Sequence, residues 1–181
     1  MFGYWYYLKK NSGFTTKEIE MVEHLEYKPQ GVNERGDFSK RLPKVALIAI
    51  AKDEENYLRE WVDYNLKIGF DDIYVYQNRW RYTRGDITDK RVHFEEFDQE
   101  RPQIPCYNSC IEKYCGKYDF LAFFDIDEFL YIKNGKSVKE FLSDYSDRDA
   151  IYVNWRIFGD NGLSSVEDGN YSVIERFTKC D

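Results

Sequence analysis

The sequence predicts a doubly wound α/β domain, and three observations carry that prediction. Two short apolar runs, at 44–51 and 118–124, read as strands buried on both faces, as parallel strands between helices are. An amphipathic helical stretch at 54–68 separates the first run from another strand at 73–76, and strand, helix, strand in that order is a βαβ unit. The second run ends abruptly in acids, Asp125, Asp127 and Glu128, and ligands of open α/β sheets gather at the carboxyl ends of strands.

Each element has its local reason. The first ten residues lack the basic-then-apolar order of a signal peptide and read as a strand or docked terminal arm. Residues 14–28 predict a helix, with Thr15 and Glu18 as a capping box and Ile19, Val22 and Leu25 on one side. Pro29, Gly31, Gly36 and Pro43 mark 29–43 as a linker. In 54–68, Leu58, Trp61, Val62, Asn65 and Leu66 share one face, Arg59, Glu60, Asp63 and Lys67 the other, and Gly69 ends the helix. Residues 78–90 are polar and loop-like, and Val92, Phe94 and Phe97 suggest a third strand. Residues 105–115 predict a helix with Tyr107, Cys110, Ile111 and Tyr114 on one face, ended by Gly116. Ser137 and Glu140 form a capping box for a short helix reaching Tyr145. Residues 150–158 predict a strand, 159–170 a Gly- and Asp-rich loop, and 171–177 a final strand. The division is a 1–43 arm with helix and linker, then a 44–181 core read as truncated at its C-terminal end.

Composition excludes several functions. The chain carries 26 Lys and Arg against 33 Asp and Glu, a formal net charge of -7, and has no basic run, which argues against nucleic-acid binding. No apolar stretch is long enough to span a bilayer, so a cytoplasmic protein is expected, with at most peripheral membrane contact. Cys106, Cys110, Cys115 and Cys180 form no C-x-x-C pair. The first three lie about a turn apart on roughly one face and read as core thiols rather than a zinc site. His24 and His93 have no ligand partner at metal spacing and read as structural. Trp61 reads as core.

The acids after 118–124 carry the chemistry. On an extended backbone Asp125 and Asp127 point the same way, around Ile126. Two carboxylates emerging together repel unless a cation lies between them, and all-oxygen ligands suit magnesium or manganese. With parallel strands, the loops at 52–56, 77–78 and 125–127 share one edge, so carboxylates from two strand ends converge on one crevice.

Several stretches in order then resemble a known family. Residues 51–62, AKDEENYLREWV, resemble the K-N-E-x-x-Y-L-x-E-W opening of GT-A glycosyltransferases of the family 92 and family 2 type. Residues 66–76 resemble the element that follows it. Phe124-Asp125-Ile126-Asp127-Glu128-Phe129 matches the D-x-D motif in its D-x-D-E-F form, and 153–159 and 174–177 resemble the N-W-R-x-F-G and E-R-F signatures. The resemblance implies a Rossmann-like GT-A fold with a mixed, mostly parallel sheet flanked by helices, binding a nucleotide-sugar, a UDP-sugar being the expected donor. It implies a divalent ion, manganese or magnesium, with Asp127 as the more direct ligand and Asp125 acting through water or on ribose or sugar hydroxyls. Asp53 and Glu54 would lie near the nucleoside, with Gln77 on the same edge. Arg156 and Arg176 are candidates to clamp phosphate or to form salt bridges.

The implied reaction is an inverting transfer of a sugar to a saccharide or glycan acceptor, as in polysaccharide biosynthesis, and it needs a general base. Asp160, Glu167 and Asp168 are each candidates. Where family members often carry a His after F-G, this chain has Asn161-Gly162-Leu163. Two alternatives stand beside this reading. One is a phosphohydrolase of the haloacid dehalogenase type, whose D-x-D also ends an apolar strand, although Glu128-Phe129 is not the usual continuation. The other is a truncated, non-catalytic domain that binds nucleotide-sugar.

Overall fold

The computed structural model describes residues 7–9, 38, 40–83, 85–146, 148, 150–154, 156–159, 161–162 and 171–180. The helix expected at 14–28 and most of the 29–43 linker lie outside these residues. Among them are six strands: β1 (Tyr7–Lys9), β2 (Val45–Ala51), β3 (Asp72–Gln77), β4 (Val92–Glu96), β5 (Phe120–Phe123) and β6 (Ala150–Ile151). The helices are α1 (Glu55–Ile68), α2 (Gln103–Tyr114), α3 (Val138–Ser143) and α4 (Val173–Arg176).

The strands form one sheet in the order β4-β3-β2-β5-β1-β6. The first four are parallel, and β1 runs antiparallel to both β5 and β6. This is the mixed, mostly parallel α/β sheet expected. Period-two alternation divides its core into two layers. From β2, Val45, Leu47, Ala49 and Ala51 join Ile73, Val75, Phe120, Ala122 and Phe124 in the layer that includes Leu58, Trp61 and Val62 of α1. Ala46 and Ile48 instead join Tyr74, Tyr76, Leu121 and Phe123, packed with Cys106, Cys110, Ile111 and Tyr114 of α2.

Helix α1 buries Leu58, Trp61, Val62 and Asn65 as its spacing predicts. Gly69 ends it at φ 109°, with Gly69 N–H bonded to the Leu66 carbonyl and Phe70 N–H to that of Asn65. These are the paired bonds of a Schellman cap, and the left-handed residue there suits glycine. In α3 both bonds of the Ser137–Glu140 capping box are present.

Four expectations are corrected. Helix α2 begins at Gln103, with Pro105 in its first turn, where the missing N–H has no helical partner to lose. Its thiols do not share one face, for Cys106 and Cys110 are buried while Cys115, one residue past the helix, is exposed. The strand expected at 150–158 is two residues long, Ala150–Ile151, paired antiparallel with Tyr7 and Leu8 of β1. Residues 173–176 are helical rather than extended. Ser172 caps that turn by accepting from Glu175 N–H, and this local hydrogen bonding overrides the β-prone Tyr-Ser-Val-Ile composition.

Candidate functional site

From β2 the chain runs through α1 to β3 on one side. After α2 it returns to place β5 on the other side of β2. The switch in direction falls between β2 and β5, and open α/β sheets bind ligands in the crevice beyond the carboxyl ends of such strands. The segments leaving that edge are 52–54 and 124–128, which carry Asp53, Glu54, Asp125, Asp127 and Glu128.

The backbone between the acids differs from the extended form expected. β5 stops at Phe123, Phe124 N–H still reaches the Ile48 carbonyl at 3.1 Å, and the chain then turns, with Glu128 N–H bonded to the Asp125 carbonyl at 3.1 Å. The Glu128 carboxylate reaches back to accept from Asp125 N–H at 2.8 Å. Phe124 and Ile126, both 1 % exposed, root the turn in the core. Asp125 is half-buried and Asp127 exposed. Gln103, at the start of α2, lies 3.5 Å from both Asp125 Oδ1 and the Tyr107 hydroxyl.

Helix α1 fastens the turn from behind. Trp61, fully buried, donates its indole N–H to the Glu128 carbonyl at 3.0 Å. Tyr64, one turn further along, donates to the Leu130 carbonyl at 2.8 Å and packs edge-on against Phe129. Across the crevice Glu54 accepts from Lys52 N–H at 3.1 Å, and Asp53 has a left-handed backbone, φ 58°, a region that Asp tolerates better than most side chains.

Charge accumulates without compensation. Burial pushes the Glu54 carboxyl up to about 7 against the hydrogen bond from Lys52, and the charges of Asp127, Asp125 and Asp53 add to it. Burial lifts Glu128 to about 8 despite its bond from Asp125 N–H, and Asp125 and Asp127 raise it further. Asp125 is raised by burial and then by Asp127. Among the described residues no Lys, Arg or His forms an ion pair with any of these five acids.

The site residues expected from sequence are distributed as follows. Asp53, Glu54, Asp125 and Asp127 come to the ends of adjacent strands, and the mutual charge effects place them within reach of one another. Gln77 ends β3, one strand away. Its side chain is buried and accepts from Tyr82 N–H at 2.6 Å, which braces the following loop. Arg156 is exposed in the segment after β6. Asp160, Glu167 and Asp168 lie outside the described residues. Glu128, Trp61 and Tyr64 were not read as site residues from sequence; Glu128 adjoining the motif was the available signal, while nothing in a helical stripe shows that a tryptophan's N–H serves a distant carbonyl.

Hard carboxylate oxygens with no cationic partner among the described residues suit a divalent cation. Among the described residues no three His, Cys, Asp or Glu side chains are arranged to hold a metal ion, so an ion here would take most of its positions from a ligand's oxygens or water. No helix among the described residues is long and apolar enough to cross a membrane.

Fold and site together define a doubly wound α/β domain with an acidic crevice at its switch point. A family model, glycosyltransferase family 92, matches residues 48–173, which run from the middle of β2 to the first residue of α4 and include all five acids. A protein of Ricinus communis described as a glycosyltransferase family 92 protein is 22% identical over 140 residues, covering 67% of this chain. The chain spans 24% of that relative's length. The chain belongs to glycosyltransferase family 92.

Proposed function

We propose that this domain is the donor-binding part of a metal-dependent glycosyltransferase, taking a nucleoside-diphosphate sugar, a UDP-sugar foremost, and moving its sugar to a saccharide acceptor with inversion. The observation that carries the proposal is the cluster of uncompensated carboxylates at the switch point between β2 and β5. Asp127, exposed at the tip of the turn, and Asp125 behind it would hold manganese or magnesium. When bound, such an ion neutralises the charge that develops on the departing diphosphate.

The protein's own residues do the rest. Ile126 and the Trp61 and Tyr64 hydrogen bonds hold the Asp125–Glu128 turn in place, so that little reorganisation accompanies binding. Asp53 and Glu54 face the nucleoside. The acceptor hydroxyl gives its proton to a carboxylate, for which Asp160, Glu167 and Asp168 are the candidates.

The test is thermal stability with UDP, GDP or CDP, each with and without manganese. A ligand at a hundred times its Kd stabilises by about 2.7 kcal/mol. Stabilisation by a diphosphate that requires manganese and disappears in Asp127→Ala supports the reading. Stabilisation that ignores manganese refutes the metal's part, and no response to any diphosphate refutes the donor assignment. Whether this chain alone turns over a UDP-sugar is read separately, by release of UDP in the presence of acceptor saccharides.

A further inference from the structure

We infer that Tyr171 is a saccharide-contacting residue at the rim of the crevice and that Glu60 is the residue that positions it. The inference rests on the donor-site reading above and names the residue that would meet a sugar beside it.

Four observations bear on it. The Tyr171 ring meets the Tyr57 ring edge-on, centroids 6.2 Å apart. Tyr57 belongs to the first turn of α1, and its N–H bonds the Glu54 carbonyl at 3.1 Å, so Tyr171 meets the end of α1 that adjoins Glu54. Tyr171 keeps 36 % of its surface exposed, although it lies in a segment otherwise tied to the body. The tie is Glu60, whose two carboxylate oxygens accept from Ser172 Oγ at 2.5 Å and from Val173 N–H at 2.7 Å.

The physical argument joins these. A tyrosine offers a flat apolar face with a polar tip, which matches the C–H face of a pyranose ringed by hydroxyls. Such a face works when it is held rather than free, because ordering a mobile side chain on binding subtracts from affinity. Glu60 holds the residues next to Tyr171 through a bidentate, charge-assisted grip, and it projects from the helix that Trp61 and Tyr64 fasten to the acidic turn. The rim residue and the donor turn therefore share one rigid support. A polar residue on the outer face of α1, read from sequence as ordinary solvent-facing charge, thus has a partner 112 residues away.

The experiment is saturation-transfer NMR with free glucose, galactose and N-acetylglucosamine, each alone and then with UDP and manganese. The proteins compared are the wild type, Tyr171→Ala, Tyr171→Phe, Glu60→Ala and Glu60→Gln. We expect a signal from at least one sugar in the wild type, a fall of at least threefold in Tyr171→Ala and in Glu60→Ala, recovery in Tyr171→Phe, and an intermediate signal in Glu60→Gln, which keeps one acceptor oxygen. Thermal stabilisation by UDP with manganese should be the same in all five proteins. An undiminished sugar signal in Tyr171→Ala, or no sugar signal from the wild type under either condition, overturns the contact. An undiminished signal in Glu60→Ala overturns the positioning role. Loss of UDP stabilisation in Tyr171→Ala with the sugar signal intact assigns the ring to the nucleotide instead. The sugar-only arm contains neither metal nor nucleotide, so failure of the donor-site reading would leave this result interpretable.

Discussion

Replacing Trp61 with Phe separates the turn's support from the stability of the core. The indole is fully buried, and its N–H bonds the Glu128 carbonyl at 3.0 Å. Phenylalanine keeps most of the apolar contact but removes the donor and leaves a small void. A typical hydrogen bond contributes about 1 kcal/mol net, and a buried acceptor left unpaired costs about 1–3 kcal/mol. With the void added, the expected loss is about 2–4 kcal/mol, read from the urea midpoint at unchanged slope. Because the lost bond lies in the turn carrying Asp125 and Asp127, the affinity for UDP with manganese should fall about tenfold, the equivalent of about 1.4 kcal/mol. Leu142→Ala in α3 is the comparison: its fully buried side chain serves the same core layer, and its loss should cost about 2–5 kcal/mol of stability without weakening UDP binding. If Trp61→Phe and Leu142→Ala leave UDP affinity equally untouched, the indole bond does not set the turn and the positioning argument fails.

Three further outcomes follow from the same structure. Gly69→Ala should lower stability by about 1–2 kcal/mol in urea unfolding, because φ 109° is costly for a side chain and the new Cβ would lie 3.4 Å from Ser137 Cβ; a neutral effect would contradict the cap geometry. Burial works against the Asp72 carboxylate, but hydrogen bonds from His93 and Tyr118 and the charges of His93 and Lys117 outweigh it and hold its pKa below the ordinary value. A depressed folded-state pKa gives stability present above the unfolded value near 4 and lost as pH falls below it, so urea midpoints should decline on acidification, and less steeply in Asp72→Asn. Asn161 donates to the Arg176 carbonyl at 2.6 Å and accepts from Lys179 N–H at 3.1 Å; Asn161→Ala should raise amide exchange at Lys179 severalfold while the exchange of β2 stays unchanged.

How much of this was legible in the sequence depended on what each residue answers to. The strands at the centre of the sheet and the stripe of α1 are set by burial, and burial writes a period into the sequence, so Val45–Ala51 and Leu58–Val62 were read directly. Residues 171–177 answered to capping instead. Their β-prone composition would suit a strand, but Ser172 and a carboxylate on a distant helix take the first N–H groups and close a helical turn. The 150–158 stretch has strand-like composition throughout, but only Ala150–Ile151 is extended and paired, because composition sets a preference and pairing with β1 decides it. The D-x-D acids stand out in the sequence because alternation along an extended chain would align them; the chain instead turns after Phe124, and Ile126 still reaches the α1 layer because it roots the turn there. Asn161, noted for standing where family members often carry His, proved to be a local tether.

The acids reveal what periodicity cannot supply. Asp53 and Asp125 are far apart in sequence, and nothing in either stretch alone marks them as neighbours. They meet because α2 returns the chain to the free side of β2, so that β5 pairs with it from Val45–Phe120 to Ile48–Phe123 and both strands release their acids at one edge. Grouping them is unfavourable: burial raises the Glu54 and Glu128 carboxyls, and the neighbouring acids raise them further. The unfavourable grouping persists because its anchors are apolar: Phe124 and Ile126 are almost fully buried, and Trp61 and Tyr64 secure the carbonyls that follow. A crevice held open by a core that does not depend on its charge is suited to binding a cation together with its ligand, because the favourable interaction forms only when the ligand arrives and is not consumed in holding the fold together.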